Sequence, residues 1–220
     1  CINRYMASLF DTLQANAFRS GIKARTRQSR AWFQKNVQGL QISRTSLLQD
    51  SALDRTGQNI RGSMYMYFYD PKTKATLPYY DRFPLTIMVD GAPGGFYGLN
   101  LHYLNYNTRA KFLDDLMAFG PSTPTESSRL TQLRYNLISG VRKFKEFRPC
   151  FKHYLGANVR SAFSRVPMTD WEIAIFLPVE QFQKKSKTAI WNESNKIARS
   201  SGSISIKNTK AYYTRNRKKK

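Results

Sequence analysis

The stretch MYMYFYD, residues 64–70, alternates two kinds of side chain along its length. Met64, Met66 and Phe68 fall on one side of the alternation, and three tyrosines fall on the other. A period of two in residues of this type is typical of a β-strand, and the following Asp-Pro pair marks its end. A sheet therefore begins near residue 64.

Two further strands are predicted immediately downstream. They are PLTIMVDG, residues 84–91, and FYGLNLHYL, residues 96–104. The GAPGG segment between them lacks the Lys-Ser/Thr ending of a phosphate-binding loop, and strand-like residues follow it. Glycine and proline are the usual residues of tight turns, so GAPGG is interpreted as a hairpin turn.

The segment LPYYDRFPL, residues 77–85, leads into the second of these strands. Pro78 and Pro84 each fix one φ angle and favour extended conformations in the residues before them. We interpret the segment as a stiff connector. The alternative is an exposed docking patch, with its aromatic side chains beside Asp81 and Arg82.

Apolar residues at helical spacing fill much of the remaining chain. Leu9, Leu13 and Ala17 form one such stripe. Helices are predicted over residues 7–20, 27–40, 107–119, 126–147 and 184–203, and a short pair of helices over residues 149–163. DWEIAIFLPVEQF, residues 170–182, alternates like a fourth strand. This order predicts an α+β fold, with a mostly antiparallel sheet of about four strands packed with helices.

Positive charge is the unusual property of the composition. The chain has 36 Lys and Arg residues against 14 Asp and Glu, a net charge of +22. Residues 1–44 contribute +7 and residues 183–220 contribute +11, so the two flanks hold most of the excess. Such a field favours a polyanionic partner. We predict a basic helical N-terminal arm (1–62), an α+β core domain (63–182), and a basic C-terminal helix with a flexible tail (183–220).

The cysteines and the hydropathy exclude several classes of protein. Cys1 and Cys150 are too few for a disulfide framework, and paired metal-ligand spacing is absent from the sequence. No apolar run approaches the roughly 18 residues that a membrane span needs. We therefore expect a soluble protein without a metal or cofactor. MASLFDTL, starting at Met6, has the character of a natural beginning, so no function is assigned to the five residues before it.

Few residues could support catalysis. His102 and His153 are interpreted as structural histidines, the second on a helix. Most carboxylates occupy turn, cap or helix positions, and only Asp81 lacks such an explanation. One carboxylate does not make a metal site, so we expect no enzyme. A metal-dependent nuclease stays open as an alternative, since carboxylates hold Mg²⁺ in such enzymes.

We predict instead that the basic flanks bind the phosphate backbone of a nucleic acid. Lysine and arginine contacts to phosphates give affinity that does not depend on base sequence. The candidate binding residues are chosen by charge alone. They are Arg25, Arg27, Arg30, Lys35, Lys184, Lys185, Lys187, Arg215, Arg217, Lys218, Lys219 and Lys220.

Four blocks of the sequence carry a family resemblance. They are YFYDPKTKATLPYYDRFPL (67–85), GGFYGLNLHYL (94–104), FRPCFKHYL (147–155) and DWEIAIFLPVEQF (170–182). Together they resemble the DNA end protectors of T-even-like contractile-tailed phages, over about residues 25 to 195. The resemblance offers no motif that could be carried over as catalytic.

The resemblance implies a minor virion protein that binds the ends of packaged linear duplex DNA. Such a protein would block host exonucleases, enter the cell with the DNA and help to complete the head. Its partners would be DNA and other phage head or neck proteins, and its locations the virion and the host cytoplasm. A structural neck, baseplate or tail protein that docks other phage proteins is the alternative outside DNA protection.

Overall fold

The computed structural model describes residues 8–56, 61–116 and 148–199. Its eight strands, numbered along the chain, are β1 (Asp54–Thr56), β2 (Met64–Met66), β3 (Tyr80–Asp81), β4 (Leu85–Ala92), β5 (Gly95–Asn100), β6 (Phe151–Leu155), β7 (Phe163–Val166) and β8 (Phe182–Gln183). The helices of the described residues are α1 (Leu9–Arg19), α2 (Arg27–Val37), α3 (Arg44–Leu47), α4 (Tyr106–Leu116), α5 (Trp171–Ala174) and α6 (Lys187–Arg199).

Six of the strands form one sheet in the order β1-β7-β2-β4-β5-β6, and every pairing in it is antiparallel. The α+β class is therefore confirmed, but the expected number of about four strands is wrong. The three strands predicted over residues 64–104 are present as β2, β4 and β5, while β1, β6 and β7 are additional. The first strand ends at Met66 and not at the Asp-Pro pair. The third strand is also shorter than predicted, because a 3₁₀ turn over Leu101–Tyr103 follows Asn100.

The turn between β4 and β5 confirms the hairpin interpretation of GAPGG. Ala92 pairs with Gly95, which leaves Pro93 and Gly94 as the two turn residues. Gly94 has a φ of 69°, a left-handed conformation that glycine adopts without steric cost. Proline followed by glycine is the pair that a type II turn prefers.

Both faces of β2, the strand that its alternation predicted, are buried. Met64 and Met66 lie in the main core, and Phe68 packs against that core. Tyr65 and Tyr67 belong to a second cluster on the other face of the sheet. Within β2, methionine and tyrosine thus lie on opposite sides of the sheet.

Helices α1 and α2 are packed against the main core. Phe10, Leu13 and Ala17 are the buried face of α1, and Phe33 and Val37 are that of α2. Helix α6 buries Ile190 and Ser194, while Trp191 and Ile197 are half-buried. The boundaries proposed at residues 62 and 182 stay a prediction, and the helix predicted over 126–147 lies outside the described residues.

Two elements differ from the sequence predictions. Residues 149–163, predicted as a pair of helices, contain strand β6 and the first residue of β7. Residues 170–182, predicted as a strand of the main sheet, contain helix α5 and end in β8. All of residues 171–177 are buried. A short apolar run buried on every side does not distinguish a helix from a strand by periodicity.

The connector LPYYDRFPL is architecture, as interpreted. Its residues Tyr80 and Asp81 form β3, which pairs with β8. Phe83 is fully buried, and its ring lies 5.0 Å from that of Phe68. Asp81 is also buried, which contradicts the alternative of an exposed patch built around it.

Candidate nucleic-acid interface

The segment RSGIKARTR, residues 19–27, joins α1 to α2 and contains four basic residues and no acid. We call it the cationic segment. Its basic residues, Arg19, Lys23, Arg25 and Arg27, are all exposed. Within the described parts of the chain, none of their side chains has a hydrogen bond or an ion pair. Charge alone predicted Arg25 and Arg27, whereas Arg19 and Lys23 of the same segment were not among the predicted residues.

The backbone of the cationic segment is held in an unusual conformation at Arg25. This residue has a φ of 60°, which costs a non-glycine residue about 1 kcal/mol. Its main-chain N–H donates a 2.9 Å hydrogen bond to Oε2 of Glu172, at the buried helix α5. Oε1 of Glu172 accepts a second hydrogen bond, of 2.5 Å, from the hydroxyl of Ser29. One buried carboxylate therefore fixes both ends of the turn into α2.

The start of α2 is fixed as well by its own cap. The Thr26 hydroxyl accepts from the Ser29 N–H, and the Ser29 hydroxyl is placed to accept from the Thr26 N–H. This capping box satisfies two N–H groups that the helix leaves without a partner. The position of Arg27, the first residue of the helix, is thereby defined.

A cavity of about 710 Å³ lies beneath the cationic segment. Ala17, Ile22, Phe33 and Ile173 give it apolar walls, and Glu172 adds a carboxylate. Phe18 also lines it, although the Phe18 side chain is 83% exposed. Among the described residues, Phe18 is the large hydrophobic residue that is exposed to solvent. Nothing in the sequence indicated this exposure, since Phe18 lies directly beside the buried Ala17.

The other two predicted residues of this region differ in their surroundings. Arg30 is half-buried and forms an ion pair with Asp114 of α4. Lys35, near the end of α2, is exposed. The structure therefore brings Arg25 and Arg27 together in one segment and leaves Lys35 further along the same helix.

The three predicted lysines at the start of α6 form contacts within the protein itself. Lys184 Nζ donates to the carbonyl oxygens of residues 74, 75 and 77 at 2.7–2.8 Å. Lys185 pairs with Glu193 at 2.7 Å, and Lys187 pairs with Glu180 at 2.9 Å. The remaining candidates, Arg215, Arg217, Lys218, Lys219 and Lys220, lie outside the described residues.

Asp81, the one carboxylate singled out for a metal-dependent reaction, is occupied by structural contacts. Its Oδ1 accepts from the N–H groups of Phe83 and Gln181, both at 3.0 Å. Its Oδ2 lies 2.7 Å from His102 Nδ1 and accepts from the Asn100 amide. Burial by itself raises the pKa of Asp81, but the contact with His102 and the two N–H bonds lower that pKa below its ordinary value.

The side chain that lies against Asp81 is therefore His102, whereas the neighbouring Arg82 is exposed. His102 is completely buried, which confirms its interpretation as structural. His153 is exposed and lies on β6, not on a helix. Over residues 8–56, 61–116 and 148–199, no three His, Cys, Asp or Glu side chains are grouped closely enough to hold a metal ion.

Helices long and apolar enough to cross a membrane are absent from the described part of the chain. Neither a curated protein nor a solved structure matches the sequence. The model of one protein family, described as the phage T4 terminal DNA protecting protein, matches residues 6–199. This match confirms the resemblance carried by the four sequence blocks. The chain belongs to the family of phage T4 terminal DNA protecting proteins.

Proposed function

We propose that the chain binds the ends of packaged linear duplex DNA through its cationic segment and protects them from host exonucleases without bond chemistry of its own. The proposal rests on one observation: residues 19–27 hold four exposed basic side chains, and none of them is paired with a described acid. DNA protection is the function of the family, and the cationic segment is the residue-level site that we assign to it.

Electrostatics supports this assignment. Duplex DNA carries one negative charge per about 1.7 Å of its axis, and each neutralised phosphate releases condensed counterions. Arg19, Lys23, Arg25 and Arg27 can meet phosphates without first breaking an ion pair to any acid that the structure describes. Arg30, Lys185 and Lys187 would have to exchange a carboxylate partner for a phosphate, and Lys184 would have to leave three carbonyl groups. We therefore expect the cationic segment to contribute more than those four residues.

The C-terminal residues add to the same proposal by charge. Residues 201–220 contain seven lysines and arginines and no acid. Deleting them should weaken binding to duplex of any sequence, and should reduce the salt dependence by about 0.9 for each phosphate that is no longer neutralised. An unchanged salt dependence would exclude this part of the chain from the interface.

A charge-matched pair of variants tests the cationic segment. The first replaces Arg19, Lys23 and Arg27 by glutamine, and the second replaces Arg55, Lys72 and Lys196, which are equally exposed cations elsewhere on the surface. Both variants lose three positive charges. We expect the first alone to lose most of its affinity for linear duplex and its protection against an exonuclease. Equal losses in the two variants would overturn the assignment.

The same assay covers the nuclease alternative. Linear duplex incubated with the purified chain and Mg²⁺ or Mn²⁺ should remain at full length. Cleavage that disappears in Asp81→Ala would overturn the proposal of a protein without catalytic activity.

We extend the proposal to the place of action. A protein that protects packaged ends would reside in the virion, contact other head or neck proteins, and reach the host cytoplasm with the injected DNA. The family match supports the association with DNA and with the virion. Fractionation of virions checks the rest: recovery with isolated tails, together with unchanged DNA affinity of the first variant, would favour a structural tail component.

A further inference from the structure

Phe18 is the starting point, because its environment is unlike that of its neighbours on α1. Phe10, Leu13 and Ala17 are buried, whereas 83% of the Phe18 side chain is exposed. A single exposed apolar residue is common on protein surfaces and by itself carries no conclusion. Here the exposed ring lies at a cavity and beside the cationic segment, and these two further observations give it a context.

The chemistry of the cavity limits what the ring can meet. The cavity walls are largely apolar, and the Glu172 carboxylate is among them. A phosphate group inside the cavity would be repelled by that carboxylate and would lose hydrating water next to apolar walls. A flat, uncharged aromatic surface would experience neither the repulsion nor the loss of hydration of a charge. The site therefore suits a base at Phe18 and phosphates at the surrounding cations.

We propose that Phe18 stacks on the exposed face of the terminal base pair of a DNA duplex, while the cationic segment holds the phosphates of the final nucleotides. This inference rests on the proposed function and adds the means of telling an end from the interior. Phosphates occur along the whole duplex, so the cations alone cannot recognise an end. Every interior base pair is stacked on both faces, and only the last pair leaves one face open.

Charge complementarity favours this occupant over a protein partner. A duplex end presents an apolar disc bordered by anionic groups. The protein presents an apolar ring and cavity bordered by Lys23 and Arg25, and Arg19 follows Phe18 in the chain. An aromatic side chain stacks on any of the four bases, which agrees with a site that does not read sequence.

The test compares two DNA molecules of the same sequence. One is a blunt linear duplex, and the other is the same duplex closed at both ends by hairpin loops, so that its end pairs are covered. The full chain should bind the blunt duplex more tightly. Phe18→Ala should reduce the preference for the blunt duplex by about 5- to 150-fold, the range expected for loss of one base–aromatic stack. Its affinity for the closed duplex should not change.

Two further variants control this measurement. Phe18→Trp keeps an aromatic surface and should retain the preference. Asn16→Ala alters another exposed residue of α1 and should leave both affinities as they are. Thermal unfolding of all three variants should match that of the parent chain, because neither side chain is buried.

The possible outcomes separate this inference from the proposed function. If the parent chain binds neither DNA, the proposed function fails. If the parent chain prefers the blunt duplex and Phe18→Ala preserves that preference, the stacking inference fails alone. If Phe18→Ala weakens binding to both DNA molecules equally, Phe18 supports backbone binding and the inference is again wrong.

Discussion

The main-chain N–H of Arg25 donates a 2.9 Å hydrogen bond to the carboxylate of Glu172, which lies 147 residues further along the chain. This contact connects an exposed basic turn to a helix in the core. It also coincides with a left-handed backbone conformation at Arg25. Strained backbone that is held by surrounding structure is concentrated at functional sites. The turn is therefore a preformed surface and its shape depends on one buried acid.

Glu172→Ala should show that dependence. The substitution removes the acceptor of the Arg25 N–H and of the Ser29 hydroxyl, so we expect a loss of about 2–3 kcal/mol in the free energy of unfolding. DNA affinity should fall as well, although removing a negative charge would by itself raise it. Urea denaturation and a binding titration check the two effects.

Asp114→Ala is the control for charge. It also removes one acid near the cationic segment, but it breaks an exposed ion pair with Arg30, and such pairs contribute under about 1 kcal/mol. Its DNA affinity should rise slightly. A rise of the same size in Glu172→Ala would mean that the buried carboxylate does not organise the turn.

The hairpin of β4 and β5 provides a test of the sheet. A Cβ atom on Gly95 would lie 1.8 Å from the carbonyl oxygen of Tyr154 on β6, whereas one on Gly91 would meet no atom within 4 Å. Gly95→Ala should therefore separate β5 from β6 and destabilise the protein by at least about 3 kcal/mol. Gly91→Ala should change stability by less than about 1 kcal/mol. Similar unfolding midpoints for the two variants would contradict the strand pairing.

Sequence patterns predicted those elements whose two faces differ. The alternation of Met64 and Tyr65 placed two different clusters on the two sides of β2, and the spacing of Leu13 and Ala17 gave the buried face of α1. Where all sides are buried, as at Trp171, periodicity carries no information. The helix prediction for residues 149–163 was wrong for another reason. Strand β6 forms by pairing with β5, which is distant in the sequence.

The candidate site was predictable only in part. Charge suggested Arg25 and Arg27 as phosphate-binding residues, and the structure adds that both are exposed. Charge could not identify ion pairs with distant acids, such as that of Lys187 with Glu180, nor the contact of Glu172 with the turn. The exposure of Phe18 depends on where α1 ends relative to the core. These properties arise from tertiary packing.

The buried pair of Asp81 and His102 should control stability in acid. Because the pKa of Asp81 is lowered in the folded protein, its contribution to stability is present above the pKa of the unfolded state, near 4, and is lost as the pH falls through the folded value. Asp81→Asn would turn an amide N–H₂ toward the Asn100 amide and should cost about 3 kcal/mol at neutral pH. Unfolding measured between pH 2 and 7 should show a shallower acid loss in this variant.

Asp170 should have the opposite effect on the pH dependence of stability, and in a different pH range. The residue is 5% exposed, and Gln14 donates a hydrogen bond to its carboxyl group. Burial raises its pKa to about 6; the Gln14 bond opposes this rise, and the charges of Asp11 and Asp50 add to it. Between about pH 4 and pH 6 the folded state therefore binds more protons than the unfolded state, so stability falls as the pH rises through this range and is constant above it.

Asp170→Asn should remove this loss of stability with rising pH. Asparagine keeps an oxygen that can accept from Gln14 and carries no charge, so the variant should be more stable than the parent chain at pH 7, by roughly 2 kcal/mol. At pH 4 the two proteins should be nearly equal. Asp11→Asn, an exposed substitution on α1, should only shift the midpoint of the parent's loss to lower pH. Parallel stability curves for Asp170→Asn and the parent chain between pH 4 and 7 would show that this carboxyl is ionised in the folded protein throughout, which would contradict its burial against Gln14.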